Sequence, residues 1–77
     1  MNPTRIDTEM VAQVRAEMAR QDITTPELAR RLGIAPATLR ARLQSSAGLR
    51  MPDLSAIAQA LQVPLSELVA RAEGRAA

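Results

Sequence analysis

Arginine is the residue whose type and spacing best indicate a chemical role in this 77-residue chain. All ten basic residues are Arg, and eight acidic residues leave a formal net charge of only +2. Residues 28–52 contain five Arg and no acid, giving +5, whereas the rest of the chain carries −3. The guanidinium offers forked donors that match phosphate oxygens and the O6/N7 edge of guanine. The segment is therefore predicted to meet nucleic acid, the alternative being a solvated basic surface without a partner.

The residues on which most enzymes and metal sites depend are missing. The sequence has no His, Cys, Lys or Tyr, which removes the usual general base, the common nucleophiles and the thiolate metal ligands. The closest pair of acids, Asp7 and Glu9, faces different sides of a helix and suits a helix start better than catalysis. We therefore expect no enzymatic activity, no cofactor, no metal and no small-molecule substrate.

The absence of Phe, Trp and Tyr narrows the class of nucleic-acid partner. Without aromatic rings there is no platform on which single-stranded bases could stack, as they do in RRM or OB-type proteins. No run of eighteen apolar residues and no basic-then-apolar leader is present, so neither a membrane span nor a signal peptide is expected. The expected location is the bacterial cytoplasm or nucleoid, or a phage-infected host.

Pro, Gly and capping residues mark helix starts and ends along the chain. Their positions predict an all-α fold, a compact bundle of five short helices. No alternating apolar run is long enough for a strand. We predict a flexible arm at residues 1–6, one domain at 7–73 and a short tail at 74–77. The last three helices each have a proline at their start: Pro36, Pro52 and Pro64.

Local capping signals define the first two helices. Asp7 is predicted to cap the first helix, and Asp22 tolerates the left-handed conformation that often ends one. Thr24 and Glu27 have the spacing of a capping box at the start of the second helix. Gly33 is predicted to end that helix.

The third helix has the residue pattern expected of a recognition helix that enters the major groove. Leu39 and Leu43 share its buried stripe, and Arg40 and Arg42 fall on the two flanks, each about 80° from the buried centre. The outer face between them is small or polar: Ala37, Thr38, Ala41, Gln44 and Ser45. Small side chains permit close approach to base edges, and flanking guanidiniums reach guanine or phosphate. The alternative is an ordinary exposed face whose alanines reflect helix propensity.

Four short motifs follow one another at fixed spacing: Leu28-Ala29, Leu32-Gly33-Ile34, Ala37-Thr38-Leu39, and Ile57-Ala58-x-Ala60-Leu61-x-Val63-Pro64-Leu65-Ser66-Glu67-Leu68. Their order and spacing resemble those of the phage repressor/Cro-like family, also called the XRE family, over residues 14–68. The resemblance implies a lambda repressor-like bundle of five helices. In that bundle the second and third helices form a helix-turn-helix, and the third enters the major groove.

The resemblance implies roles for individual positions. The base-reading positions it marks are Pro36, Ala37, Thr38 and Ala41, and the flank position of Arg40 adds a fifth reader. Phosphate-contacting positions by resemblance are Thr25, Gln44 and Ser45. From the basic segment, Arg31, Arg42 and Arg50 are also assigned to phosphates.

Two departures concern hydrogen bonding and capping at the third helix. Pro36, Ala37 and Ala41 have no side-chain donor or acceptor where the family usually has one. Direct readout is therefore expected to depend on Arg40, Thr38 and methyl contacts. Ala35 replaces the usual Ser/Thr cap, which should cost about 1 kcal/mol.

A third departure replaces an ion pair. Many members pair an Arg of the first helix with a Glu of the third, and the matching positions here are Met18 and Leu43. Because both are apolar, packed hydrophobes can take the place of the pair at little or no cost.

The resulting prediction is a sequence-specific, double-stranded DNA-binding transcriptional regulator of the repressor/Cro type. Its DNA site is expected to be a palindromic operator, bound by a weak homodimer that is completed on DNA. The fifth helix either closes the bundle or supplies part of the dimer surface. Two other functions stay open: a protein-interaction module of the same fold, such as an antitoxin, and a non-specific nucleoid-type DNA binder.

Overall fold

The computed structural model describes residues 3–44 and 49–76, and within these ranges it contains five α-helices and no strand. The helices are α1 Pro3–Arg20, α2 Thr25–Leu32, α3 Pro36–Gln44, α4 Met51–Ala60 and α5 Leu65–Ala76. The predicted all-α fold of five short helices is confirmed. None of the helices in the described ranges combines the length and the apolar character that a bilayer crossing requires.

Both ends of the chain are more helical than the sequence pattern predicts. Helix α1 begins at Pro3, so Asp7 lies inside it rather than at its cap, and the predicted arm is helical from residue 3. Proline is tolerated in a first turn because its missing N–H would have no helical partner there. Helix α5 continues through Gly74 to Ala76, into the predicted tail, since one glycine costs a helix only about 1 kcal/mol.

Three helices end in the same way, with one residue in the left-handed conformation: Asp22 (φ 56°), Gly33 (φ 72°) and Gln62 (φ 59°). The following β-branched residue returns its N–H to the helix: Ile23 to Met18 O (2.8 Å), Ile34 to Ala29 O (3.0 Å) and Val63 to Ala58 O (3.0 Å). This is the Schellman type of helix end. The roles predicted for Asp22 and Gly33 are confirmed, whereas Gln62 carried no signal because glutamine rarely adopts this conformation.

The starts of α2 and α3 agree with the expected caps. The Thr24 Oγ1 accepts a hydrogen bond from Glu27 N at 3.3 Å, which is one of the two bonds of the predicted capping box. The Glu27 carboxylate instead accepts hydrogen bonds from Arg30 and Arg31. Ala35 stands at the cap of α3, where its carbonyl accepts from Leu39 N at 3.2 Å and its methyl group offers no acceptor.

The core is aliphatic, as the composition requires. Its fully buried large side chains are Val14, Leu28, Leu39, Ile57, Leu61 and Leu68. Helix α1 packs along α5, and α2 contacts both α3 and α4. Leu43 of α3 and Met18 of α1 are both buried in this core, as the predicted apolar packing at these two positions requires. Burial of Leu39 and Leu43 fixes which face of α3 points outward.

Helix α5 uses its apolar side to close the bundle. Leu68 and Ala72 are fully buried, and Leu65 and Val69 pack partly buried against the core. Among the described residues Met51 is the only large apolar side chain that is exposed. Of the two roles left open for α5, bundle closure is therefore the one that its packing supports.

Glu17 is a buried acid at the junction of α1 and α5, and the sequence analysis did not identify it. Its carboxylate accepts from Gln21 Nε2 (2.8 Å), Arg20 Nη2 (2.8 Å) and Arg71 Nη1 (3.0 Å). Gln21 Nε2 also donates to the Leu61 carbonyl at 2.7 Å, near the end of α4. The hydrogen bond from Gln21, followed by those from Arg20 and Arg71, lowers the pKa of Glu17 to about 2. The network connects α1 to α5 and to the end of α4.

Candidate nucleic-acid interface

The outward face of α3 is a shallow surface made of small side chains. All five predicted base-reading residues are exposed: Pro36, Ala37, Thr38, Arg40 and Ala41. Gln44, at the end of the helix, is exposed as well. Helix α3 follows α2 through the left-handed turn at Gly33 and packs on the core with its buried residues Leu39 and Leu43. The opposite face of α3 therefore points away from the bundle. Such a surface permits close approach of the helix backbone to a groove floor.

Arg40 and Arg50 are the cations of this region that the fold leaves uncommitted. Both residues are exposed, and neither guanidinium forms a hydrogen bond or ion pair with any residue in the described ranges. Arg40 lies on the flank of α3, and Arg50 stands immediately before α4 in extended conformation (φ −104°, ψ 168°). Their charges are thus available to an external anion.

Arg42, on the other flank of α3, faces α4 instead. Its Nη1 lies 3.3 Å from Asp53 Oδ1, and its side chain is 39% exposed. The second oxygen of the carboxylate, Oδ2, accepts from the Arg50 backbone N–H at 3.1 Å. One carboxylate therefore connects α3 to the first turn of α4.

Arg31 is also engaged within the domain. It pairs with Glu27 at 3.3 Å and donates from Nη1 to the Ala60 carbonyl at 3.1 Å, at the end of α4. A cation at a helix C-terminus is favourable because the last carbonyls carry partial negative charge. Hydrogen bonds from Arg30 and Arg31 lower the pKa of Glu27, so this acid is ionised when it pairs with them. Arg31 thus fastens α2 to α4 while its side chain remains 41% exposed.

The remaining predicted contacts lie around α3. Thr25 is the first residue of α2 and is partly exposed. Gln44 ends α3, and Ser45 lies outside the described residues. Helix α2 contacts both α3 and α4, and Arg31 lies on the side of α2 that faces α4.

Arg15 of α1 contacts α3, and the sequence analysis did not predict this contact. Its Nη2 donates to the Leu43 carbonyl at 3.2 Å, in the last turn of α3. The available signal was a cation one helical turn before Met18, the position to which the resemblance assigns an Arg. Arg15 makes a polar connection between α1 and α3, directed to the backbone.

Two short helices joined by residues 33–35, with the second presenting a small, exposed face flanked by Arg40, define a helix-turn-helix domain. A family model described as Cro/C1-type HTH DNA-binding domain matches residues 13–73. The chain belongs to this family, which confirms the resemblance seen in the sequence. Membership implies binding of double-stranded DNA, and the family is typically non-enzymatic. No curated protein and no solved structure matches the chain.

In the part of the chain that the structure describes, no group of three or more acids could hold a metal ion.

Proposed function

We propose that the protein is a sequence-specific transcriptional regulator, of the repressor/Cro type, that reads duplex DNA with the outer face of α3 in the major groove. The observation that carries this proposal is the exposed face of Ala37, Thr38 and Ala41 beside the uncommitted Arg40. A flat, small surface is required for close approach to base edges, and Arg is the side chain that most often reads guanine.

Sequence preference would come from two kinds of contact. Arg40 would donate to guanine O6 and N7, and Thr38 would contribute a hydroxyl hydrogen bond. Pro36, Ala37 and Ala41 would discriminate through apolar contact with the methyl group of thymine.

Phosphate contacts would fix the register of the domain without reading sequence. Arg50 would contribute its full charge, together with the polar groups of Thr25, Gln44 and Ser45. Arg31 and Arg42 would contribute the guanidinium donors that their carboxylate partners leave free. A plot of the logarithm of the binding constant against the logarithm of the salt concentration falls, and each neutralised phosphate should make its slope steeper by about 0.9.

We also propose that the domain is monomeric when free and pairs weakly on a palindromic operator. The apolar side of α5 is used within the bundle, so little apolar surface is left in the described ranges to hold a stable dimer. Two half-sites about 34–36 Å apart would align two copies on one face of the duplex. Sedimentation should show a monomer alone and two copies per selected duplex. One copy per duplex at saturation would contradict pairing.

The test of the proposed function is selection from a pool of random duplexes, followed by a salt titration of the enriched sequence and of a random duplex. A sequence-specific regulator enriches a motif, and its binding weakens steeply with salt. A nucleoid-type binder shows the salt dependence without enrichment. A protein-interaction module such as an antitoxin enriches no DNA motif. It forms instead an apolar complex with a protein partner, and that complex is largely insensitive to salt.

A further inference from the structure

The Asp53 carboxylate has two partners that restrict it. The Arg50 backbone N–H donates to Oδ2 at 3.1 Å and fixes the carboxylate in the first turn of α4. Its other oxygen, Oδ1, accepts from Arg42 Nη1 at 3.3 Å, and the Asp53 side chain is only 28% exposed. Because the backbone hydrogen bond fixes the position of the Asp53 carboxylate, the ion pair also restricts the position of the Arg42 guanidinium.

The Arg42 side chain lies at a mainly apolar cleft. Arg42 and Asp53 both line a cleft of about 110 Å³ whose other walls are mainly apolar, including Leu39 and Ile57. Of the five guanidinium donors, the ion pair occupies one, and no other residue in the described ranges accepts a hydrogen bond from Arg42. The free donors are therefore directed by the pair and remain partly accessible, with 39% of the side chain exposed.

The ion pair also changes the charge that DNA encounters. Arg40 and Arg50 present uncompensated charges, whereas the charge of Arg42 is balanced by Asp53. A balanced, oriented guanidinium has little attraction for phosphates at a distance. It can still donate to one phosphate that docking brings to the right place.

We propose that Asp53 is a positioning residue that determines specificity. It holds Arg42 so that Arg42 contacts a phosphate when α3 is seated in its groove and not in sequence-independent complexes. The inference rests on the proposed function. Its consequence is that loss of the Asp53 charge should strengthen binding to random DNA and leave binding to the selected sequence almost unchanged.

The experiment compares Asp53→Asn with Glu67→Gln on the selected duplex and on a random duplex of the same length, over a range of salt. Asn retains an acceptor for the Arg50 N–H and loses the charge that holds Arg42. Glu67 is the matched control because it occupies the same position in the first turn of α5 and pairs with Arg71, at 2.8 Å. Asp53→Asn should bind random DNA about fivefold more tightly at 0.1 M salt, with a slope steeper by about 0.9. Glu67→Gln should match the wild type.

Arg42→Ala tests the same inference without altering Asp53. It should lower the salt slope by about 0.9 on the selected duplex and leave the slope on random DNA unchanged. In the Arg42→Ala background, Asp53→Asn should no longer steepen the slope on random DNA.

Several results would overturn the inference while leaving the proposed function intact. These are an unchanged slope for Asp53→Asn on random DNA, an equal change in Glu67→Gln, or an Arg42→Ala slope that falls equally on both duplexes. Failure of the wild type to prefer any sequence would overturn the inference and the proposed function together.

Discussion

The Arg15 Nη2 donates a hydrogen bond to the Leu43 carbonyl at 3.2 Å, between residues 28 positions apart. Leu43 is the second residue of the buried stripe of α3, and its carbonyl lies among the last of the helix, which have no partner within it. The contact therefore gives this carbonyl a side-chain donor and joins α3 to α1, the longest of the described helices. Among the hydrogen bonds of the described residues, it is the one that joins a side chain of α1 to α3.

Arg15→Ala should lower the free energy of unfolding by about 0.5–1.5 kcal/mol, the usual contribution of one hydrogen bond. Urea unfolding measures the change. Arg75→Ala is the control, because Arg75 is exposed in the last turn of α5 and forms no ion pair in the described ranges. Equal stability of the Arg15 and Arg75 variants would show that the contact does not hold α3 in solution.

Glu17→Gln should destabilise the protein at pH 7 by about 1–3 kcal/mol, because it removes the charge that Arg20 and Arg71 share. The pKa of Glu17 is lowered from its ordinary value of 4.5 to about 2. A depressed native pKa gives stability that is complete above pH 4.5 and lost as the pH falls toward 2. Urea unfolding across this range should show the wild type and the variant converging. Glu73→Gln, at an exposed position of α5, is the matched control for loss of one carboxylate. A difference between the wild type and Glu17→Gln that stays constant across this pH range would contradict the prediction.

Gln62→Gly should stabilise the protein, since Gln62 adopts φ 59° at the end of α4. A residue with a side chain pays roughly 1–2 kcal/mol to adopt this conformation, and glycine does not. Glycine, however, makes the unfolded chain more flexible, which offsets part of the gain in stability. The expected net gain is about 0.5–1 kcal/mol in thermal unfolding. Gln59→Gly, at an exposed position inside α4, should instead lose about 1 kcal/mol. A loss at both positions would argue against a left-handed residue 62.

Arg40→Ala should weaken binding to the selected duplex by about 1–3 kcal/mol and relax preference at the base it contacts. The reason is that Arg40 has no partner in the described ranges and is the one cation on the exposed flank of α3. Fluorescence anisotropy on the selected duplex and on its single-base variants measures both effects. Arg75→Ala, which removes the same charge far along the chain, should affect neither; equal losses would indicate a general charge effect.

Features set by neighbouring residues could be predicted from the sequence. The spacing of Leu39 and Leu43 identified the buried stripe of α3, and Thr24, Asp22 and Gly33 identified helix ends, because a cap or a left-handed residue depends on local geometry. The outward face of α3 followed from the same spacing. The roles assigned to individual residues on that face stay predictions.

Features that depend on distant partners could not be predicted. The buried Glu17 accepts a hydrogen bond from Arg71, which is 54 positions away, although an acid three residues after Val14 on an apolar face was a signal. The pairing of Arg42 with Asp53 depends on how α4 returns toward α3, and charge counts alone do not reveal it. The start of α1 at Pro3 was missed because Asp7 is also a good cap, and the sequence offers no means to decide between the two.

The outer face of α3 as the DNA-reading surface is the central claim, and one comparison tests it most directly. Ala41→Glu places a carboxylate in the middle of that face, where like charge repels phosphate and the larger side chain prevents close approach. Because Ala41 is exposed, the fold should change in stability by no more than about 0.5 kcal/mol. Ala16→Glu, at an exposed position of α1, is the matched control. We predict that Ala41→Glu binds the selected duplex at least about tenfold more weakly than Ala16→Glu; equal binding by the two folded variants would contradict the claim.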